Sequence, residues 1–214
     1  MLSEDNIQEI YSKVYTLMPN EYVPLPENKG KWKWENKDFP RVIALLEFAK
    51  HIKCYKFNKV LSFNGITDPE YEYLKFDTCT NYEYPEYDLH NFELTENDYD
   101  FIMLNQTIEH LYDPITALKN IYKHSRMGGM LYANVPANNV PHNTPFHFYT
   151  GITATGLGAM VKLAGFNIIR IGQWGNKKYF KQMFDNLWSD YTYSDKPGFN
   201  DQDCPLVTWI FAVK

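Results

Sequence analysis

The residues best able to do chemistry fall in three short stretches: "NGITD" (64–68), "NQTIEHLYDP" (105–114) and "PANNVPHNTPFHFY" (136–149). The second and third hold His110, His142 and His147, with Glu109 and Tyr149 alongside. An imidazole titrates near neutral pH, so it can take a proton from a hydroxyl at working pH. His110 and His147 are the candidate bases or substrate-orienting groups, and Tyr149 can assist by hydrogen bonding. His90 lies near the same region, whereas His51 and His124 sit on expected helices away from it. His142 and His147 are five apart in a loop without nearby acidic ligands, a weak pattern for a cation, and no metal is expected. The first stretch is a turn with one glycine, Gly65, where a loop approaching a pyrophosphate needs several. A carboxylate asks for less: a few free N–H groups beside a helix N-terminus, with Gly65 able to turn left-handed. Asn64 and Gly65 are candidates for that contact.

These loops need elements to aim them. The spacing predicts a helix over 2–18, with Ser3 as N-cap and Ile7, Ile10, Tyr11, Val14 and Leu17 on one face. A proline-rich loop follows, then a second helix through "RVIALLEFAKHI". From Lys59 strands and helices alternate. The strand "KVLSF" leads to a helix "DPEYEYLKF", capped by Asp68 with Pro69 first, and a second strand ending at Asp77. "YDFIMLN" is apolar enough to be buried on both faces of a parallel sheet. "DPITALKNIYKHSRMGG" reads as a helix capped by Asp113 and stopped by Gly128 and Gly129. "MLYANV", the helix "TATGLGAMVKLAGF", "NIIRI", a helix "NKKYFKQMFDNLW" and "PLVTWIFAV" complete the series. The expected architecture is α/β: a doubly wound, mostly parallel, seven-stranded Rossmann-like sheet. Residues 1–58 form an N-terminal helical extension and residues 59–214 the sheet domain. In such sheets ligands bind beyond the carboxyl ends of the strands, where strand order reverses.

The bulk composition narrows the class. Net charge is −5 with only three arginines, which leaves no cluster to displace counterions from nucleic acid. Cys54, Cys79 and Cys204 form neither a C-x-x-C pair nor an even set, so neither a disulfide framework nor a cysteine zinc site is expected. A polar, acidic start and the lack of a long apolar run predict a cytoplasmic protein with no membrane span.

The segment "YDFIMLNQTIEHLYDPITALKNIYKHSRMGGMLYANVP" resembles the centre of class I S-adenosylmethionine-dependent methyltransferases of the type 11 or 23 kind. "TPFHFY", "LAGF" and the closing "PLVTWIFAVK" fall where that family has comparable pieces, and the likeness covers residues 59–214. It implies S-adenosyl-L-methionine as cofactor and S-adenosyl-L-homocysteine as product. It also implies roles. Asp77 would accept from the ribose hydroxyls, Asp88 from the adenine amine, and the Leu89 N–H would face a ring nitrogen. Asn105 and Gln106 would lie by the methionine moiety, Glu109 would bind its ammonium, and His110 would mark the catalytic area. The loop after the first strand departs from the family, which normally carries several glycines there.

The resemblance implies methyl transfer, expected on oxygen, with a sugar or glycan hydroxyl as first acceptor. The aromatics Trp174, Tyr179, Trp188, Tyr191 and Tyr193 would suit a sugar face, and equally a phenol or quinone precursor. A non-catalytic binding module on the same fold is the alternative that the single-glycine turn favours. A nicotinamide-dependent oxidoreductase ranks last, because residues 62–68 lack its glycine fingerprint.

Overall fold

A computed structural model describes residues 2–16, 39–63, 68–186 and 200–214. In chain order the elements are α1 (Glu4–Ser12), β1 (Val14–Thr16), α2 (Phe39–Ile52), β2 (Phe57–Ser62), β3 (Phe76–Asn81), β4 (Tyr99–Asn105), α3 (Pro114–His124), β5 (Ser125–Pro136), α4 (Ala154–Leu163), β6 (Asn167–Gly175), α5 (Lys177–Asn186) and β7 (Pro205–Val213). Two 3₁₀ turns, Pro69–Glu72 and Ile108–His110, follow β2 and β4.

The strands form one seven-stranded sheet in the order β1-β6-β7-β5-β4-β2-β3. All neighbours are parallel except β7, which runs against both β5 and β6. Side-chain alternation along β4 divides the core between the two faces. Ile102 and Leu104 pack with Leu118 and Ile121 of α3 and Leu157 and Val161 of α4. Phe101 and Met103 pack with Ile43 and Phe48 of α2 and Tyr179 and Met183 of α5. All seven residues of β4 are buried, as a strand covered on both faces requires.

The expected α/β class holds, with six long strands, and the seventh is where sequence pattern misleads. The helix expected over 2–18 stops at Ser12, held by a capping box in which Ser3 and Asn6 bond each other's backbone. The chain then extends, and Val14 to Thr16 pair in parallel with Ile171 to Gln173 at the sheet edge. Two other expectations need correction. Among the described residues no α-helix follows β2: Asp68 gives its carboxylate to Arg41 Nη2 (2.8 Å) and Asn105 Nδ2 (3.1 Å) rather than to a cap, and from Pro69 to Glu72 a short 3₁₀ turn forms. Gly128 and Gly129 do not end α3 either. That helix ends at His124, and the glycines lie inside a register shift of β5, Gly128 at φ +74°. There Gly128 N donates to the Lys214 carbonyl and Lys214 N to the Gly129 carbonyl, fastening β7 to β5.

The strand order puts the switch point between β2 and β4. From β2 the chain moves to β3 on one side, then crosses back to β4 on the other. Loops beyond these carboxyl ends diverge and leave a crevice.

Candidate active site

The crevice holds a cavity of about 340 Å³. Phe63 after β2, Asp88, Leu89 and His90 after β3, Thr107, His110 and Leu111 after β4, and Phe146 and Phe148 from the loop before α4 line it. Four aromatic rings at its rim are exposed: Tyr84, Tyr112, Phe146 and Phe148.

Each wall has a local cause. Asp88 Oδ1 accepts from the His90 backbone N–H (3.0 Å) and from the His90 ring (Nδ1, 2.6 Å). The other ring nitrogen, Nε2, accepts from Asp113 N at 3.3 Å, so His90 bridges two loops. Burial alone would raise the Asp88 carboxyl, but the bonds from His90 bring it below its ordinary value. Tyr112 stacks on the His90 ring at 3.8 Å. Asn120 of α3 donates to the carbonyls of Leu89 (3.4 Å) and Phe92 (2.9 Å), fixing the chain behind Leu89.

The end of β4 is built differently from its expected role. Asn105 is buried and faces a polar network: Asn134 Nδ2 donates to its Oδ1 at 2.8 Å, while Asn105 itself donates to Asp68. Gln106 is left-handed, φ +49°, and is held there by Asn134, whose carbonyl accepts from Gln106 N (2.9 Å) and whose Oδ1 accepts from Gln106 Nε2 (2.7 Å). A non-glycine residue in that region is held against a cost of about 1–3 kcal/mol, as turns at functional sites often are.

Glu109 is wholly buried, and neither carboxylate oxygen has a partner among the described residues. Burial pushes its acid up to about 8. Its backbone carbonyl accepts from both Phe148 N (3.0 Å) and Tyr149 N (3.1 Å), which ties the loop before α4 to the turn after β4. His110 adds a third tie, donating Nδ1–H to the Phe146 carbonyl at 2.8 Å. A carbonyl can only accept, so Nε2 of His110 keeps its lone pair. His147 and His142 meet His110 edge to face, with ring centroids at 5.4 and 5.1 Å, and each other at 4.5 Å. Burial lowers both His110 and His147 below their ordinary range, and for His110 the Phe146 bond only partly opposes this.

Of the residues singled out from sequence, Asp88, Leu89 and His110 line the cavity, and His147 joins His110. Asn105 and Glu109 are buried behind the site. Tyr149 points elsewhere, its hydroxyl donating to the Tyr112 carbonyl at 3.4 Å. Asn64 and Gly65 lie outside the described residues. Asp77 is at the wrong end of its strand. β3 begins at Phe76, so Asp77 sits at the amino edge, exposed and paired with Lys56 at 2.7 Å. The carboxyl edge carries Asn81 and Glu83 instead, joined by a 3.0 Å bond from Asn81 Nδ2. Trp174 and Tyr179 are buried in the core and cannot stack on an acceptor. Trp188, Tyr191 and Tyr193 lie outside the described residues.

Sequence reading missed the network of Arg41, Asp68, Glu70, Asn105, Tyr132 and Asn134 beneath the switch point. Arg41 lies 3.8 Å from Glu70, and Asn134 also reaches Tyr132 (3.2 Å) and Glu70 (3.5 Å). The asparagine ending "MLYAN" in an otherwise apolar strand was its one visible sign. No helix among the described residues is long and apolar enough to cross a membrane.

Residues 28–171 match the family model of a methyltransferase domain. A search of curated proteins finds no match. Among solved structures, a putative methyltransferase from Bacillus halodurans superposes with a TM-score of 0.51 at 14% identity, covering 78% of this chain and 96% of that one. The N-methyltransferase NodS from Bradyrhizobium japonicum gives 0.51 at 12% identity, covering 83% and 96%. The [4+2]-cyclase SpnF also gives 0.51 at 12% identity, covering 98% and 92%.

Proposed function

Because the chain belongs to the methyltransferase domain family and takes S-adenosylmethionine as its methyl donor, we propose that it methylates a hydroxyl on a small ring-shaped acceptor, a sugar or glycan first. The observation that carries this reading is the cavity itself: exposed aromatic rings at its mouth and a neutral histidine with a free lone pair in its wall. Flat aromatic faces suit the apolar face of a sugar ring, and a phenol would meet the same surface.

The residues present fit the donor. The apolar walls Phe63, Leu89 and Leu111 suit a purine, with Asp88 at hand for its amine. Glu83 and Asn81, at the carboxyl edge of β3, take the ribose role that sequence gave to Asp77. Asn64 and Gly65 are assigned the methionine carboxylate. Gln106 and the turn after β4 flank the methionine end, and Glu109 is the buried acid nearest its ammonium. When bound, the cofactor supplies a methyl group on a positively charged sulfur, which departs as a neutral thioether.

What the chain itself must do is align the acceptor oxygen, exclude water and accept one proton. The aromatic rim performs the first two tasks. His110 performs the third: the acceptor O–H bond breaks, its proton goes to Nε2, and the oxygen lone pair forms the new O–CH₃ bond. His147 packs against that ring and orients it. Replacing His110 by alanine is expected to lower turnover about 10²–10⁴-fold while changing cofactor affinity little.

Calorimetric titration with S-adenosylmethionine and S-adenosylhomocysteine tests the donor side. Glu83→Ala is expected to weaken binding about tenfold, the loss of one hydrogen bond to a charged group, whereas Asp77→Ala leaves it unchanged. The reverse pattern would return the ribose contact to Asp77. An acceptor panel of sugars and phenols, read by formation of S-adenosylhomocysteine, tests the other side, and turnover confined to amines would overturn oxygen as the acceptor atom.

A further inference from the structure

We propose that His110, His142 and His147 together form a binding site for a divalent transition cation of the zinc class. Sequence shows only a pair, His142 and His147, in a loop. The fold brings His110 of the turn after β4 to join them, and one ring nitrogen from each of the three lies within 4.8 Å of the others.

Three features distinguish this cluster from histidines packed for their apolar faces. His110 donates Nδ1–H to the Phe146 carbonyl at 2.8 Å, and His142 Nδ1 lies 3.1 Å from the Val140 carbonyl. Metal-bound imidazoles characteristically give their second nitrogen to a backbone carbonyl as His110 does, which fixes that ring's tautomer and leaves its Nε2 for the ion, whereas His142 Nδ1 also lies 3.4 Å from Asn139 Nδ2. His147 supplies the second feature. Both of its ring nitrogens are buried, and neither has a hydrogen-bond partner among the described residues. An imidazole packed only for its bulk would leave those polar atoms desolvated, a penalty that a bound cation relieves at one of them. The third is Glu109, whose Oε1 lies 3.9 Å from His110 Nε2 and whose carboxylate also lacks a partner among the described residues. A carboxyl group thus stands beside the His110 nitrogen.

The donor set selects the ion. Three imidazoles suit zinc, nickel, copper or iron, whereas magnesium and calcium favour oxygen ligands. A tetrahedral zinc with three histidines keeps a fourth position for water or substrate. Ligand nitrogens around such an ion stand about 3.3 Å apart, so the loop bearing His142 and His147 must close slightly on His110. That loop is tied at Phe146, Phe148 and Tyr149 to the turn after β4 and at Ala137 and Asn138 to β7, while its residues 141 and 143–146 between these ties are exposed. Cation binding rests on the histidine geometry alone. Its use in catalysis rests on the hydroxyl-acceptor reading above: an acceptor oxygen on the cation would lose its proton to solvent more readily, with the ion in place of His110 as the activating group.

The test uses the full chain stripped with a chelator and titrated with Co²⁺, followed by absorbance in the visible d–d region, and with Zn²⁺ by calorimetry. One ion per chain with micromolar or tighter affinity, a tetrahedral Co²⁺ spectrum and no response to Mg²⁺ are expected. His142→Gln and His147→Gln should each weaken Zn²⁺ binding at least about 100-fold, given that lost ligands cost more than the 10–100-fold of lost outer partners, with folding checked by circular dichroism. Absence of saturable binding, or binding that both variants leave intact, overturns the proposal; the latter would put the ion elsewhere, for instance on the cysteines. S-adenosylmethionine affinity of the stripped protein is read separately. Loss of the metal result with donor binding preserved therefore leaves the methyltransferase reading standing.

Discussion

Glu70 shows how a single buried acid can set a pH dependence. It is fully buried at the 3₁₀ turn after β2, and burial holds its carboxyl up at about 7 although Arg41 works against that. Arg41 of α2, Asp68 beside it, and Asn134 and Tyr132 of β5 face it. The folded protein therefore keeps a proton that the unfolded chain releases near 4.5. Between those values the native state binds more protons, so stability falls as pH rises from 4.5 toward 7, by up to about 3 kcal/mol. Glu70→Gln removes the titration. Chemical denaturation across pH 4.5 to 7.5 should then give a flatter profile for the variant than for the parent; parallel profiles would show that Glu70 is ionised in the folded protein. The same scale explains why the histidine cluster was only half legible. His110 lies far from His142 and His147 in the chain, and what unites them is a backbone contact, the Glu109 carbonyl, which no side-chain pattern announces.

Elements were most legible where local chemistry and burial agree. Asp113 caps α3 and Thr153 caps α4, each accepting from a backbone N–H in the first turn, and β7 spans the very residues its apolar run marks. Legibility failed where a distant partner overrode local preference. Residues 14–16 carry on a helical apolar pattern, yet the edge of β6 offers backbone hydrogen bonds, and pairing there wins. Asp68 and Pro69 are sound helix starters, but Arg41 and Asn105 claim the carboxylate that would have capped the helix. That lost helix also displaced β3 in the reading, which is how Asp77 came to stand at the wrong edge. The docking of α1 offers a test at this scale. At Gly158 of α4 an added Cβ would come within 2.5 Å of Ile10 Cγ2. Gly158→Ala should cost about 1–3 kcal/mol of stability by thermal or denaturant unfolding. In an Ile10→Ala background, which lacks that Cγ2, Gly158→Ala should cost clearly less than in the parent, and an equal cost would show that α1 is not pressed against α4 as described.

Across the whole molecule, the order of seven strands decides which loops can share a ligand. The crossover from β3 back to β4 opens the crevice, and the antiparallel β7 completes the sheet by entering from that same end, where Val207 pairs with Pro136 and Pro205 with Gly175. Comparable folds carry different reactions, since the solved structures that resemble it include both an N-methyltransferase and a [4+2]-cyclase. The family comes from the match over residues 28–171, while the acceptor must be read from the few side chains at the cavity mouth.

One carbonyl, that of Glu109, receives the amides of Phe148 and Tyr149, while the ring of the adjacent His110 holds the carbonyl of Phe146. Viewed as an exchange problem, the two amides share one acceptor, so any movement that carries the loop off the turn after β4 exposes both at once. A donor or cation that steadies the turn should slow deuterium uptake at Phe148 and Tyr149 together, even where it touches neither. Uptake that slows at one and not at the other would mean that the turn and the loop breathe apart.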